Sequence, residues 1–140
     1  MPRRVPTIAA LILLTLAGCR ERVARPVEDL SGGRDLSRFV LTSIRGTRDG
    51  DRLDVRAVFG GVAAESISLE LRFTIGVPTS LKSGTWTGLG AGGAVRERSV
   101  TFLGGQSGPP SIGGSFDLVA PDGSPRYRVN IPLQELKHKL

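Results

Sequence analysis

The chain predicts an all-β domain, an antiparallel β-sandwich of about seven strands, with a small up-and-down β-barrel as the alternative. Three observations carry this. Apolar residues recur at every second position in successive segments between residues 39 and 133, the spacing that turns one face of a strand to a core and the other to water. Gly, Pro or Asp-Gly punctuation follows each segment, as short strands joined by turns require. The chain beyond residue 20 has no apolar stripe of helical period, save room for one turn at residues 133–140. A sandwich of immunoglobulin-like size needs roughly 100 residues, and residues 38–136 supply them.

The elements follow in order. Residues 39–44 form a first strand, and Asp49-Gly50 supplies a hairpin turn,. In the second strand Leu53, Val55, Ala57 and Phe59 face one way, with Arg52, Asp54 and Arg56 opposite. Gly60-Gly61 ends it. The third alternates best, with Ile67, Leu69, Leu71, Phe73 and Ile75 against Ser66, Ser68, Glu70, Arg72 and Thr74. Residues 83–88 make a short strand carrying Trp86, and Leu89 to Gly93 must turn. Residues 96–103 follow, with Val100 and Phe102 inward. The segment from Gly104 to Pro110 reads as a long exposed loop. Ile112, Gly114, Phe116 and Leu118 share one face of the next strand. Tyr127, Val129, Ile131 and Leu133 share one face of the last, which Pro132 ends or confines to an edge,. The inward residues are mostly mid-sized aliphatics with a few Phe, suited to filling a core, which favours the sandwich over a barrel with a cavity.

The amino end carries the most specific motif. Arg3 and Arg4 precede an apolar run from Ile8 to Leu16, then Ala17, Gly18 and Cys19. That is the layout of a secretory signal, and the run is too short to span a bilayer, which takes roughly 20 apolar residues. Leu16-Ala17-Gly18-Cys19 resembles the lipobox of bacterial lipoproteins. The resemblance covers residues 1–19 alone. It implies cleavage between Gly18 and Cys19, and diacylation of the Cys19 sulfur with fatty chains such as palmitate. It also implies a place in the cell envelope. Because Arg20 is not acidic, the resemblance further implies the outer membrane, facing the periplasm, in a Gram-negative host. The residues agree: Cys19 is the only cysteine, so it has no internal disulfide partner, and a lone thiol in an oxidising compartment is a liability unless modified. Two chains give stable attachment where one does not. The domain plan is therefore a signal peptide at 1–18, a flexible tether at 19–37, a sandwich domain at 38–136 and a basic tail at 137–140.

Charge limits the partners. The chain has 19 basic and 13 acidic residues, a net charge of +6. An exported protein meets little nucleic acid, so the excess favours anionic lipid head groups, envelope polymers or another envelope protein. Arg52, Arg56, Arg72, Arg98, Arg126 and Arg128 fall on the wet side of their strands. Were those strands neighbours, they would form a cationic face, since guanidinium forks match phosphate and carboxylate; otherwise they pair across strands with Asp54, Glu70, Glu97 and Asp117,.

Catalysis has few candidates. His138 is the only histidine and lies in the basic end, so no nucleophile has a histidine base and no histidine-based zinc site forms. Asp49, Asp51 and Asp54 lack the spacing of a calcium loop,. Glu70, Glu97 and Asp117 are the carboxylates from which a hydrolase would draw an acid pair. Gly88 to Gly93 has no helix after it to make a phosphate loop,. The expectation is a protein that is not an enzyme and needs no metal or cofactor. Its β-domain would bind or serve a structural role. The alternatives are a carrier of an apolar ligand in a cavity lined by Ile67, Leu69, Phe73, Trp86 and Phe102, and an envelope hydrolase.

Overall fold

The computed structural model describes residues 25–61, 64–104 and 109–136. The signal segment with Gly18 and Cys19, and the basic tail with His138, lie outside the described residues. So does the middle of the loop at 105–108.

The described residues form eight strands: β1 (Val27–Asp29), β2 (Val40–Asp49), β3 (Arg52–Gly60), β4 (Ser66–Thr74), β5 (Ser80–Gly88), β6 (Ala91–Leu103), β7 (Ser111–Val119) and β8 (Pro125–Glu135). All pairings are antiparallel, in one sheet of order β1-β8-β7-β6-β5-β4-β3-β2. The two-sheet sandwich is therefore corrected to one meandering sheet. Short connections explain it, because a two-residue turn can only fold a strand back beside its predecessor. Asp49 pairs with Arg52 around Gly50-Asp51, with Gly50 at φ 63°. Positive φ at the first central position alone is the type II′ arrangement. Gly88 pairs with Ala91 around Leu89-Gly90, both at positive φ, as in type I′. The glycine-rich run at 88–93 is thus a hairpin and the start of a strand.

The sheet is strongly curled. Phe73 on β4 and Phe116 on β7 stand edge to face with ring centroids 6.0 Å apart. Trp86 on β5 and Tyr127 on β8 do the same at 5.5 Å. Each pair is three strands apart in hydrogen-bonding order, which in a flat sheet means about 14 Å. Only curvature brings them into contact. Register shifts at Leu41/Ser43, Arg72/Phe73, Glu97/Ser99, Ile112/Gly114 and Leu118/Val119 supply bends, because a bulge kinks its strand and adds twist.

The inner face is one apolar core. Leu53, Ala57, Phe59, Ile67, Leu69, Leu118 and Val129 are wholly buried, and Phe73, Trp86 and Phe116 nearly so. Burying each such aliphatic or Phe side chain contributes roughly 1.5–3 kcal/mol.

The edges, β1 and β2, do not hydrogen-bond to each other. Side chains cover the gap. Leu136 is buried, and a methyl placed on Gly46 of β2 would lie 2.7 Å from its Cδ1. At the other end the β1–β2 connection crosses with Leu36 and Phe39 turned into the core. Residues 25–37, expected as tether, are thus part of the body: Val27 is 1% exposed and β1 pairs with β8 from Val27↔Val129 to Asp29↔Tyr127. Residues 133–135, where a helical turn had room, continue β8 as strand.

The turns fall on two rims. The lower rim carries the β2–β3 turn, the β4–β5 connection, the β6–β7 connection and Leu136. The upper rim carries the β1–β2, β3–β4, β5–β6 and β7–β8 connections.

Candidate ligand-binding face

The outer face alternates charge across strands. On one row Thr47, Asp54, Arg72 and Ser83 stand side by side on β2 to β5; on the next stand Arg45, Arg56, Glu70 and Thr85. Arg72 Nε donates to Asp54 Oδ1 at 2.9 Å, and Arg56 Nη2 donates to Glu70 Oε1 at 2.7 Å. Arg52 leans on Asp54 and Asp49 at 3.5 and 3.8 Å. Across the sheet, Arg128 Nε donates to Asp117 Oδ1 at 2.9 Å.

The six arginines expected to form one cationic face are therefore spread out. Arg52, Arg56 and Arg72 occupy β3 and β4, while Arg126 and Arg128 lie on β8, with three strands between. Four of the six, Arg52, Arg56, Arg72 and Arg128, are ion-paired. Arg98 falls in the register break between Glu97 and Ser99. The Arg126 guanidinium sits 5.8 Å from the Tyr127 ring centre, and its buried Nε has no protein partner.

Arg45 is the residue that the sequence reading left out. It lies directly opposite Arg56, a like-charge pairing that is unfavourable across strands. Arg56 turns away to Glu70. Among the described residues, Arg45 has no carboxylate within ion-pair distance. The signal was present in the sequence: Ser43, Arg45, Thr47 and Asp49 alternate up to the turn. Gly46 obscured it, because the small residue at that inward position broke the apolar pattern.

Arg45 opens onto a groove of about 760 Å³ on the outer face of β2 to β5. Ser43, Thr47, Ser83 and Thr85 contribute hydroxyls there, and Arg45, Arg56 and Arg72 contribute guanidiniums. Asp54 and Glu70 also line it, both already engaged by arginine. The volume is in the range of small-ligand sites. The chemistry is that of a hydrogen-bonding surface with one cation to spare.

The carboxylates named for acid-pair chemistry are each held separately. Glu70 bonds Arg56, Asp117 bonds Arg128, and Glu97 Oε1 accepts the Leu81 N–H at 2.6 Å. Among the described residues no group of three or more His, Cys, Asp or Glu is placed to hold a metal. Of the residues proposed to line an apolar cavity, Ile67, Leu69, Phe73 and Trp86 are at most 1% exposed and belong, with the half-buried Phe102, to the single packed core. Comparison with family models, with curated proteins and with solved structures finds no match.

Proposed function

We propose that the protein is a lipid-anchored component of the bacterial cell envelope whose β-domain binds, without catalysis, a hydroxyl-rich anionic polymer of that envelope in the groove of β2 to β5. Leu16-Ala17-Gly18-Cys19 carries the anchor. The single observation that carries the binding is Arg45, set beside four hydroxyls with no carboxylate partner among the described residues. Sugar hydroxyls match Ser43, Thr47, Ser83 and Thr85, and an acidic group on the polymer matches the Arg45 fork. The filled inner face favours this outer site over a carrier of apolar ligands.

Titration calorimetry tests the reading on full-length lipidated protein in detergent, with polygalacturonate as the anionic saccharide and dextran as the neutral control. Polygalacturonate binds and dextran does not. Arg45→Ala weakens binding about tenfold, the loss expected of one charge-assisted hydrogen bond, while Arg98→Ala leaves it unchanged. Equal binding by the parent and Arg45→Ala would remove the groove from the account. Mass spectrometry tests the anchor: a Cys19 amino terminus carrying acyl chains is expected, and an unmodified thiol would exclude it.

A further inference from the structure

We infer that the lower rim is the surface that rests on the bilayer, with Val77 at the point of contact. The inference rests on the lipid-anchor reading and adds an orientation to it.

The first strand supplies direction. From Asp29 back to Arg25 the chain descends along β8: Asp29 is level with Tyr127, the Pro26 carbonyl accepts the Asn130 N–H, and the Arg25 carbonyl accepts Asn130 Nδ2. The described chain thus begins, at Arg25, on the side facing the lower rim, where β8 ends at Glu135. From the level of Asn130 to Glu135 is about 17 Å at the rise of a strand. From Arg25 to Cys19 the chain can reach at most about 21 Å. An acyl group on Cys19 is thus held by a chain whose greatest reach just exceeds the distance to that rim.

The rim itself suits a lipid surface. Val77 is fully exposed at the tip of the β4–β5 connection. Leu103 and Leu133, near the ends of β6 and β8, are 57% and 48% exposed. Arg48 and Lys82 lie at the same end. Such residues favour anionic head groups, against Asp49, Asp51 and Glu135 of the same rim. The upper rim has Leu30 and Val40, and among the described residues its connections present Arg34, Asp35, Arg38, Glu65 and Asp122 and no large apolar residue as exposed as Val77.

The single cysteine makes the test direct, because a thiol added elsewhere is unique once Cys19 is acylated. Val77→Cys and Asp122→Cys are made in the full chain, purified as lipoproteins and labelled with a nitroxide. They are then reconstituted in vesicles of phosphatidylethanolamine and phosphatidylglycerol. The ratio of collisions with oxygen to those with a water-soluble nickel chelate is expected to be several-fold higher at position 77 than at 122. If the protein floats with the vesicles but position 77 collides like position 122, the orientation is overturned and the anchor stands. If the parent chain takes up label at Cys19 and fails to float, the anchor is overturned and the orientation falls with it.

Discussion

The indole N–H of Trp86, on β5, donates to the carbonyl oxygen of Val119, on β7, at 2.9 Å. It reaches across β6 because Gly93 is the residue opposite Trp86. A methyl at Gly93 would meet Val119 O, and would stand 3.2 Å from Trp86 Nε1. One absent side chain thus lets the largest one lie flat over the sheet with its polar atom satisfied.

Replacing Trp86 by Phe removes that bond, leaves the Val119 carbonyl without its donor and shrinks the ring. A loss of about 2–4 kcal/mol is expected, from a hydrogen bond worth roughly 0.5–1.5 kcal/mol and the smaller buried surface. Urea unfolding followed by circular dichroism measures it. In the parent, Trp86 is the only tryptophan and 1% exposed, so its fluorescence should be blue-shifted and resist iodide until the domain unfolds.

Gly93→Ala should cost more than Gly90→Ala. At Gly93 the added carbon collides with backbone, which cannot swing aside as a side-chain end would. At Gly90 nothing lies within 4 Å and only the φ of 74° is at issue. The turn variant is expected to lose about 1–2 kcal/mol, the usual penalty of a left-handed conformation. The Gly93 variant is expected to lose more, with the indole signal of Trp86 altered as well. Equal losses would show that the three-strand contact adds nothing.

The two cross-strand pairs should differ in strength. The Arg56 and Glu70 side chains are 69% and 64% exposed, those of Arg128 and Asp117 only 29% and 14%. Glu70→Gln should change stability by no more than about 1 kcal/mol, since solvent screens exposed pairs. Asp117→Asn should cost about 1.5–3 kcal/mol, the range for hydrogen bonds to charged groups. Thermal unfolding at 50 mM and 500 mM salt is the check: the Arg56–Glu70 coupling fades with salt and the Arg128–Asp117 coupling persists.

Asp29 closes the turn after β1. Its Oδ1 accepts the Ser31 N–H at 2.9 Å and its Oδ2 accepts the Arg34 N–H at 2.7 Å. Burial pushes its pKa up, but the bonds from Ser31, Arg34 and Gly33 outweigh that and leave it below the ordinary value. A depressed folded pKa adds stability above the unfolded value of about 4 and loses it as pH falls through the folded one. Asp29→Asn should therefore flatten the acid limb of stability as pH falls below the unfolded value of about 4. A carboxyl-carbon NMR titration of the parent should place Asp29 below a free aspartate.

Much of the body was legible as strands because alternation reports which way a side chain faces. Leu53 to Phe59 and Ile67 to Phe73 point inward as their spacing predicts. Alternation does not say which strands are neighbours in space, so a sandwich and a single curled sheet look alike in sequence. The Phe73–Phe116 and Trp86–Tyr127 contacts that distinguish them are long-range. Strand β1 was illegible for another reason: Val27-Glu28-Asp29 is too short to show a period and sits among charges. Its partner, β8, supplies the order that its own residues do not. The arginines of the wet faces were legible as outward, and Asp54, Glu70 and Asp117 as candidate partners for them, but which arginine meets which carboxylate depends on register. Arg56 meets Glu70 and Arg72 meets Asp54 only once β3 and β4 are aligned.

The union of β1 with β8 also sets a timetable. The bond from Asn130 to the Arg25 carbonyl joins groups 105 residues apart in the chain, and contacts so distant are slow to form. During synthesis, the leading edge of this sheet must wait, unzipped, until β8 emerges. A nascent chain stopped short of β8 would leave Val27 bare and its front end loose, so late truncation should undo the beginning of the molecule first.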